Sequence, residues 1–342
     1  MRRLSILLGV FLPFLPSNVL FAKSVPPLKF IAAYKLPSMP PGHFDHMMVK
    51  GDRLFVTPEA ANEELVFNAR TGKLLHTIPN IPKPHAPFYR SDVNDLYITY
   101  GGRAGAPGGL KIFNGQTYKL IRSVSLFPHA DAMAYDARTH CIFINDGGGP
   151  ALLPYGRIRV INANTMKTVA TFKVPGGHLK RMVLNPSGSK LYVDDVAQRE
   201  VDVIDTSNGK ILARWPVRTG KLNIPLALDA AHHRLFVGCR SGVIAVFDTK
   251  TGKELQTLPI GKGIDDLIFD PATRRLYASC GAGRGQIDVY REVDPDHFQL
   301  LGREPTAPGA KTGILAPSLK MYFVAVPEHS GTPARVFAYD VL

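Results

Sequence analysis

Residues 234–259 read RLFVGCRSGVIAVFDTKTGKELQTLP, and this stretch contains the pattern that decides the fold. It begins with a short, mainly apolar run at residues 234–237, which we call the apolar burst. A glycine-containing loop then leads to Val243–Asp248, a run typical of a strand. A Thr-Gly-Lys turn beginning at Thr251 then leads into Glu254–Pro259. Short runs of β-branched and aromatic residues bounded by Gly, Asp and Pro predict antiparallel strands joined by tight turns. We therefore predict three consecutive strands of one sheet.

The same pattern recurs along the whole chain. Each copy carries an apolar burst with a central aromatic residue, and these residues are Phe55, Tyr97, Phe143, Tyr192, Phe236, Tyr277 and Tyr322. They are separated by 42, 46, 49, 44, 41 and 45 residues. A repeat of this length with four strands per unit is typical of a propeller blade. Because no stretch has the 3.6-residue apolar period of a helix, we predict an all-β fold in which helices are nearly absent.

The two ends of the chain predict how the ring closes. The last unit ends with residues 336–342, which form a third strand with no fourth, whereas residues 29–37 resemble an unattached fourth strand. An N-terminal strand that completes the C-terminal blade removes the open sheet edges of a propeller. Seven bursts and one donated strand therefore predict a single domain over residues 23–342, a seven-bladed β-propeller of four-stranded blades.

The first 22 residues have the pattern of a secretory signal. Arg2 and Arg3 form a cationic start, an apolar run follows, and small residues lie near a cleavage point after Ala22 or Ser24. An uncleaved anchor needs roughly 20 uninterrupted apolar residues, and two prolines interrupt this run. We predict that residues 1–22 are removed, that no membrane-spanning segment remains, and that the mature protein is periplasmic or secreted.

The number and positions of the three cysteines predict that their thiols are free. Their odd number leaves at least one unpaired within the chain. Cys239 and Cys280 occupy equivalent positions in adjacent blades, where the Cα separation usually exceeds the roughly 7 Å limit for a disulfide. Cys141 belongs to a second strand, so its side chain is predicted to lie in the core.

The strand Tyr192-Val193-Asp194-Asp195 and the turns at residues 68–73 and 248–253, which both end in Thr-Gly-Lys, carry a family resemblance. The chain resembles the YVTN-repeat, YncE-like seven-bladed β-propellers of exported bacterial proteins over nearly its whole mature length. The tetrapeptide Tyr-Val-Thr-Asn itself occurs in no blade, so the resemblance is to a divergent member. It implies a propeller fold and an extracytoplasmic setting. It implies no single activity, because such propellers serve as binding scaffolds, lactonases, lyases and redox enzymes.

Composition and missing motifs exclude several classes of protein. A content of 45% hydrophobic and 20% charged residues is ordinary for a globular chain and excludes a coiled coil or a membrane bundle. The sequence contains no Gly-x-Ser-x-Gly, His-Glu-x-x-His or Cys-x-x-Cys, the commonest hydrolase, protease and thiol-redox motifs. The net charge of +13 leaves nucleic acid as a minor alternative partner. The basic residues of the short turns have two interpretations. They are either solvated turn residues, or together they form a basic surface on one face of the ring that contacts an anionic envelope surface.

Histidines recur at one position of the repeat. The residue just before the first strand is His43, His85, His129 and His178 in four successive units. Innermost strands converge on the axis of a propeller, so these imidazoles are predicted to meet at the channel mouth, where His46 adds a fifth. Neutral imidazole is the commonest ligand of transition-metal ions, so the cluster reads as a site for Zn, Cu or Fe. A strand-capping histidine copied with each blade produces the same pattern without a metal.

Charged residues follow two positions later in the same repeat. Asp45, Asp131, Lys180 and Asp265 are the predicted ligand-binding residues, although such carboxylates also accept hydrogen bonds from loop amides. Long, irregular loops are predicted on this face of the ring, and variable loops on a rigid scaffold commonly carry binding sites. The sequence thus favours an exported scaffold that binds a small-molecule ligand or a protein partner through the irregular loop face and the axial mouth. The alternative is a metal-dependent oxidoreductase or lyase, or a lactonase, at the histidine-lined axial site; no catalytic residue is predicted.

Overall fold

The structure, a computed structural model, describes residues 25–102 and 105–342. Within these residues 28 strands form seven four-stranded antiparallel sheets, the blades of a propeller ring. The all-β prediction is therefore confirmed. The predicted signal segment, residues 1–22, lies outside the described residues. No helix in the described part of the chain is long and apolar enough to cross a membrane.

The strands follow one another blade by blade, after a first strand, β1 (Leu28–Lys35), that belongs to the last blade. Blade 1 contains β2 (Met48–Lys50), β3 (Arg53–Val56), β4 (Glu64–Asn68) and β5 (Leu74–Ile78). Blade 2 contains β6 (Pro84–Arg90), β7 (Asp95–Gly101), β8 (Gly108–Asn114) and β9 (Leu120–Leu126). Blade 3 contains β10 (Met133–Asp136), β11 (Cys141–Gly147), β12 (Tyr155–Asn162) and β13 (Thr168–Pro175). Blade 4 contains β14 (Leu179–Leu184), β15 (Lys190–Asp195), β16 (Glu200–Asp205) and β17 (Ile211–Pro216).

The remaining three blades complete the ring. Blade 5 contains β18 (Asn223–Asp229), β19 (Arg234–Cys239), β20 (Val243–Asp248) and β21 (Glu254–Pro259). Blade 6 contains β22 (Ile264–Asp270), β23 (Arg275–Cys280), β24 (Gln286–Asp294) and β25 (His297–Pro305). Blade 7 contains β26 (Thr312–Ala316), β27 (Met321–Val326), β28 (Arg335–Val341) and β1. Single-turn 3-10 helices occur in the described residues at Glu59–Ala61, Gly149–Ala151 and Pro317–Leu319.

The ring closes as the ends of the chain predict. Strand β1 pairs antiparallel with β28, from Leu28 opposite Val341 to Lys35 opposite Arg335. Leu28 is 1% exposed, so the donated strand contributes to the core as well as to the sheet. The N-terminal strand therefore covers the edge that β28 would otherwise present to solvent.

The central aromatic residue of each repeat lies in the second strand and fills the space between neighbouring blades. None of the seven is more than 4% exposed. Tyr277 and Tyr322, from adjacent blades, stack with ring centroids 5.4 Å apart. Stacking of this kind adds to the free energy gained by burying the rings. The repeated aromatic residue is therefore part of the packing that holds blades together, along with the aliphatic residues of the core.

The Thr-Gly-Lys turns depend on their glycine. In the first of them the side chain of Asn68 accepts hydrogen bonds from the backbone N–H groups of Arg70 and Thr71. Gly72 has a φ of +68°, and a Cβ atom there would lie 2.1 Å from the ring of Tyr34 on β1. Only glycine satisfies both the left-handed backbone and this close approach.

The basic residues of the short-turn face divide into two groups. The arginines donate hydrogen bonds to protein acceptors, and they are Arg53, Arg234, Arg274 and Arg275. The lysines of the turns between third and fourth strands are exposed, and they are Lys73, Lys119, Lys167, Lys210 and Lys253. The arginines thus belong to the architecture of the turns, while an anionic envelope surface as partner of the lysines stays a prediction.

All three cysteines are free thiols, as predicted. Cys239 and Cys280 are fully buried. Cys141 differs from its prediction because it is only partly buried. It is the first residue of β11, next to the turn, so its side chain is only partly covered by the packing between blades.

Candidate ligand site on the propeller axis

The histidine column converges only in part. His85, His129 and His178 lie side by side, with centroids of neighbouring rings 5.6 and 5.8 Å apart. The structure places His43 outside this group: its side chain is exposed and lines a separate cavity of about 370 Å³ on the same face. His46 points further down the channel than the other three.

His85 is held on both sides of its ring. Its Nδ1 lies 2.6 Å from Oδ2 of Asp45, and its Nε2 lies 2.7 Å from the carbonyl oxygen of Gly101. Both partners are acceptors, so both ring nitrogens carry a proton. Burial lowers the pKa of His85, but the hydrogen bond and charge of Asp45 outweigh burial and raise it to about 9. His85 is therefore an imidazolium that holds Asp45 in place, and in this arrangement its nitrogens are not free to bind a metal.

His129 and His178 are neutral imidazoles. Burial, the largest influence, lowers the pKa of His129 to about 4 and lowers the pKa of His178 as well. The Nε2 atom of His178 is buried without a hydrogen-bond partner among the described residues. A buried nitrogen without a partner is costly, so this atom is available to a water molecule, an ion or a ligand atom.

The four predicted ligand-binding residues line one chamber on the axis, of about 70 Å³. Several of their charged groups pair with groups of opposite charge from a neighbouring blade. Lys180 Nζ donates to Asp131 at 2.7 Å, and Asp265 accepts from Arg240 at 2.5 Å and contacts Lys311 Nζ at 2.6 Å. Asp131 is 2% exposed, so the desolvation of its charge is offset only by close pairing, whereas the other paired side chains are partly buried.

A second cluster forms around His46. Its Nδ1 lies 2.8 Å from Oδ1 of Asp266, and its Nε2 faces Oδ1 of Asp45 at 3.6 Å. Atoms of Asp45, His46 and Asp131 all lie within 4.8 Å of one another. A histidine whose far nitrogen is fixed by a carboxylate is the usual arrangement of a metal-binding imidazole. These three side chains are thus able to share an ion.

Below the charged chamber the channel becomes apolar. A cavity of about 540 Å³ is lined by six of the seven innermost strands and reaches turn residues such as Gly51 and Ser318, so it lies toward the short-turn face. Its walls carry methionine, phenylalanine, leucine and isoleucine side chains. His46 and Arg181 line both cavities and so mark the boundary between them.

Arg181 differs from the other cations on the axis. Its guanidinium donates no hydrogen bond to the described residues, and no carboxylate among them lies within 4.0 Å of it. It is partly buried and lies near His46. Burial lowers the pKa of His46 and the charge of Arg181 lowers it too, but Asp266 and Asp45 raise it above its usual value. The axial lining thus includes a cation that has no counter-ion within the described residues.

Sequence reasoning missed three members of this site: Arg181, Arg240 and Asp266. Asp266 and Arg181 directly follow Asp265 and Lys180, which were predicted. Two consecutive charged residues near the start of each strand are the sequence pattern that could have indicated the missed residues. Arg240 follows the end of β19 and reaches the axis from a loop. Spacing along the chain does not indicate the contact between Arg240 and Asp265, because Asp265 lies in the next blade.

Comparison with known proteins agrees with the fold. No protein-family model matches the chain. YncE of Salmonella typhimurium, described as uncharacterized, is 26% identical over 202 residues, and so is YncE of Salmonella typhi. The match covers 58% of this chain and 54% of YncE, so the chain spans about half the length of the curated relatives it matches.

Two further proteins are similar to this chain, one in sequence and one in structure. A probable U3 small nucleolar RNA-associated protein 18 of Schizosaccharomyces pombe is 26% identical over 159 residues, which are 44% of this chain and 30% of that protein. A chain from a crystal structure of a mitotic checkpoint complex superposes with a TM-score of 0.73 at 11% identity, covering 98% of both chains. The seven blades and their closure show a seven-bladed β-propeller, and the match to YncE supports a YncE-like one.

Proposed function

We propose that this protein is an exported binding propeller whose site is the axial channel, and that its ligand is a small molecule with one anionic group and an apolar body. The observation that carries the proposal is Arg181, the guanidinium without a counter-ion between the charged chamber and the apolar cavity. Export is supported by the signal pattern of residues 1–22.

The chemistry of Arg181 favours an anion. A guanidinium presents a rigid fork of donors that matches a carboxylate with two parallel hydrogen bonds. Lys180, Arg240 and Lys311 already contact Asp131 or Asp265 and so have less to offer. An anion entering the channel therefore meets Arg181 as the cation with free donors.

The space beside Arg181 favours an apolar body. Cavities of about 300–1,000 Å³ with apolar walls and a few polar groups are typical of small-molecule sites, and the lower cavity has about 540 Å³. Apolar surface buried there contributes ~25 cal/mol per Å² to binding. A protein partner on the irregular loops would not need such a channel, so a small molecule is the preferred occupant.

The first test uses octanoate as a simple anionic amphiphile and octanol as its neutral counterpart. We expect octanoate to bind the parent protein, and Arg181→Gln to weaken that binding at least tenfold while octanol binding is unchanged. A hydrogen bond to a charged group contributes ~1.5–3 kcal/mol, which corresponds to this loss. Titration calorimetry measures both affinities. Lys190→Gln, which removes an exposed turn lysine, is the matched control. Equal octanoate affinity in the parent and Arg181→Gln would refute the anion site.

A second candidate function is metal binding at the same mouth. It is favoured by the partnerless Nε2 of His178, the neutral ring of His129 beside it, and the Asp45, His46 and Asp131 cluster. Several imidazole and carboxylate ligands together suit Zn, Fe or Cu.

The metal candidate predicts a specific loss. We expect Zn²⁺ or Cu²⁺ to bind at micromolar concentration, and the double variant His129→Ala/His178→Ala to lose that binding because the neutral nitrogens are gone. Titration calorimetry measures the affinity, and circular dichroism checks that the fold is kept. His297→Ala removes an exposed histidine of blade 6 and serves as control. Millimolar affinity in the parent, or equal affinity in the double variant, would mean that the column is an architectural detail.

A further inference from the structure

Three acidic side chains of blade 4 lie close together in its middle strands, apart from the axial channel. Asp195 ends β15, and Glu200 and Asp202 lie near the start of β16; we call them the acidic trio. Each offers a carboxylate oxygen, and these oxygens all lie within 4.8 Å of one another. Two oxygens that share a calcium ion at ~2.3–2.6 Å lie at most about 5 Å apart. The acidic trio is therefore close enough to hold one ion.

The oxygens of the acidic trio lack donors. Asp202 is 1% exposed, and neither of its side-chain oxygens accepts a hydrogen bond from the described residues. Arg214 Nε lies 3.4 Å from Oδ1 of Asp202 and 3.4 Å from Oε1 of Glu200, too poorly placed to satisfy either. Asp195 uses Oδ1 to accept the backbone N–H groups of His178 and of Ala197 in its own turn, while Oδ2 is buried without a partner among the described residues. Buried carboxylate oxygens without donors are costly unless a cation binds them.

In blade 6 the positions equivalent to the acidic trio and its arginine carry balanced positive and negative charge. Blade 6 has one carboxylate, Asp288, at the position of Asp202, and Cys280 and Gln286 replace the other two acids. Asp288 accepts from Arg303 Nε at 3.1 Å, from the Gln286 amide at 2.9 Å and from a backbone N–H at 2.8 Å. One arginine faces one fully satisfied carboxylate there. In blade 4 one arginine faces three acidic side chains, so the acidic trio has more acids than basic groups to pair with them.

Crowding of these charges also changes their acidity. Burial, followed by the charges of Glu200 and Asp195, raises the pKa of Asp202 to about 7. Burial likewise raises the pKa values of Asp195 and Glu200. Like charges at this distance repel one another, and a divalent cation converts that repulsion into attraction.

We propose that the acidic trio binds a calcium ion. Its donors are all oxygens, which suit hard cations rather than Zn²⁺ or Cu²⁺. An adjoining cavity of about 400 Å³, lined by Gln198 and Gly176 among others, leaves room for water and the Gln198 amide to complete six to eight oxygen ligands. Arg214 is 48% exposed and serves as counter-ion until calcium displaces it into solvent.

The test is calcium titration of the chelator-treated full chain, followed by calorimetry. We expect one calcium ion per chain, bound at least tenfold more weakly by Glu200→Gln, because this variant removes one charge and installs the residue of blade 6. Arg214→Gln is expected to bind calcium more tightly, since the competing guanidinium is absent. Calcium is also expected to raise the Tm of the parent protein, because it binds the folded state only.

Control variants distinguish calcium at the acidic trio from calcium bound elsewhere on the protein. Arg303→Gln, the counterpart of Arg214→Gln in blade 6, leaves a lone carboxylate and is expected to keep the parent calcium affinity. Arg181→Gln is expected to bind calcium normally, so failure of the axial proposal leaves this one standing. Asp202→Asn replaces Glu200→Gln if the latter does not fold by circular dichroism. Absence of calcium binding, equal affinity in Glu200→Gln, or tighter binding of Zn²⁺ that Glu200→Gln abolishes would overturn the proposal.

Discussion

Deletion of residues 28–37 is expected to abolish cooperative unfolding and to cause aggregation. The deletion removes β1 and leaves β28 as the unpaired outer edge of a three-stranded blade, whereas the other six blades keep four strands. It also removes buried Leu28 and Tyr34, whose Oη donates to the carbonyl of Ala69 at 2.8 Å and so joins blade 7 to blade 1. Native domains are stable by only ~5–15 kcal/mol, and the loss of a whole strand is comparable with that margin.

Urea denaturation and size-exclusion chromatography measure the effect of this deletion. A chain that begins at Val25, which is 74% exposed, keeps β1 intact and is the control. It is expected to unfold in one transition and to elute as a single species. If the chain without residues 28–37 melts as cooperatively as this control, the donated strand does not close the ring.

Replacing Asp131 by Leu is expected to destabilise the protein by about 3–5 kcal/mol, because the largely buried charge of Lys180 then lacks its hydrogen-bond partner. Lys180 Nζ lies 2.7 Å from Asp131, whose side chain is 2% exposed. Burial raises the pKa of Asp131, but Lys180 and the neighbouring histidines lower it further, to well below its usual value. The stabilisation is therefore present above the unfolded-state pKa of ~3.9 and is lost as the pH falls through the folded-state pKa.

The double variant Asp131→Leu/Lys180→Met is expected to recover most of the lost stability, since two apolar groups replace the buried ion pair. Urea unfolding at pH 7 gives the free energies of the parent, the two single variants and the double variant. The exposed pair Arg70–Asp52, 3.1 Å apart, is the control, and Asp52→Asn should cost less than ~1 kcal/mol. A double variant as unstable as Asp131→Leu would mean that shape, not charge, makes Asp131 important.

Much of the fold was predictable because its signals are local. Burial of Phe236 or Tyr277 needs only an aromatic residue in a strand covered on both faces, and that pattern is visible within a few residues. The turn around Gly72 was likewise readable, since asparagine, threonine and glycine bond within the turn itself. The place of β1 in the last blade was also predictable, because a ring of blades has a single place for an unattached strand.

The candidate sites were less predictable because their contacts join distant parts of the chain. The repeat placed His43 in one column with His129 and His178, yet the structure places His43 elsewhere on the same face. Which nitrogen of His46 is free depends on Asp266, a residue 220 positions away. Residue type and spacing cannot supply such a partner.

By itself the sequence determined the number of blades, their strand order, the closure by β1 and the face that carries the irregular loops. These features follow from the period of the repeat and the alternation within each strand, which act over a few residues. The tertiary structure alone decided that Arg181 has no counter-ion on the axis among the described residues and that the acidic trio of blade 4 shares one arginine. Both depend on distances of a few ångströms between side chains of different strands or blades, and electrostatic energy changes steeply over such distances.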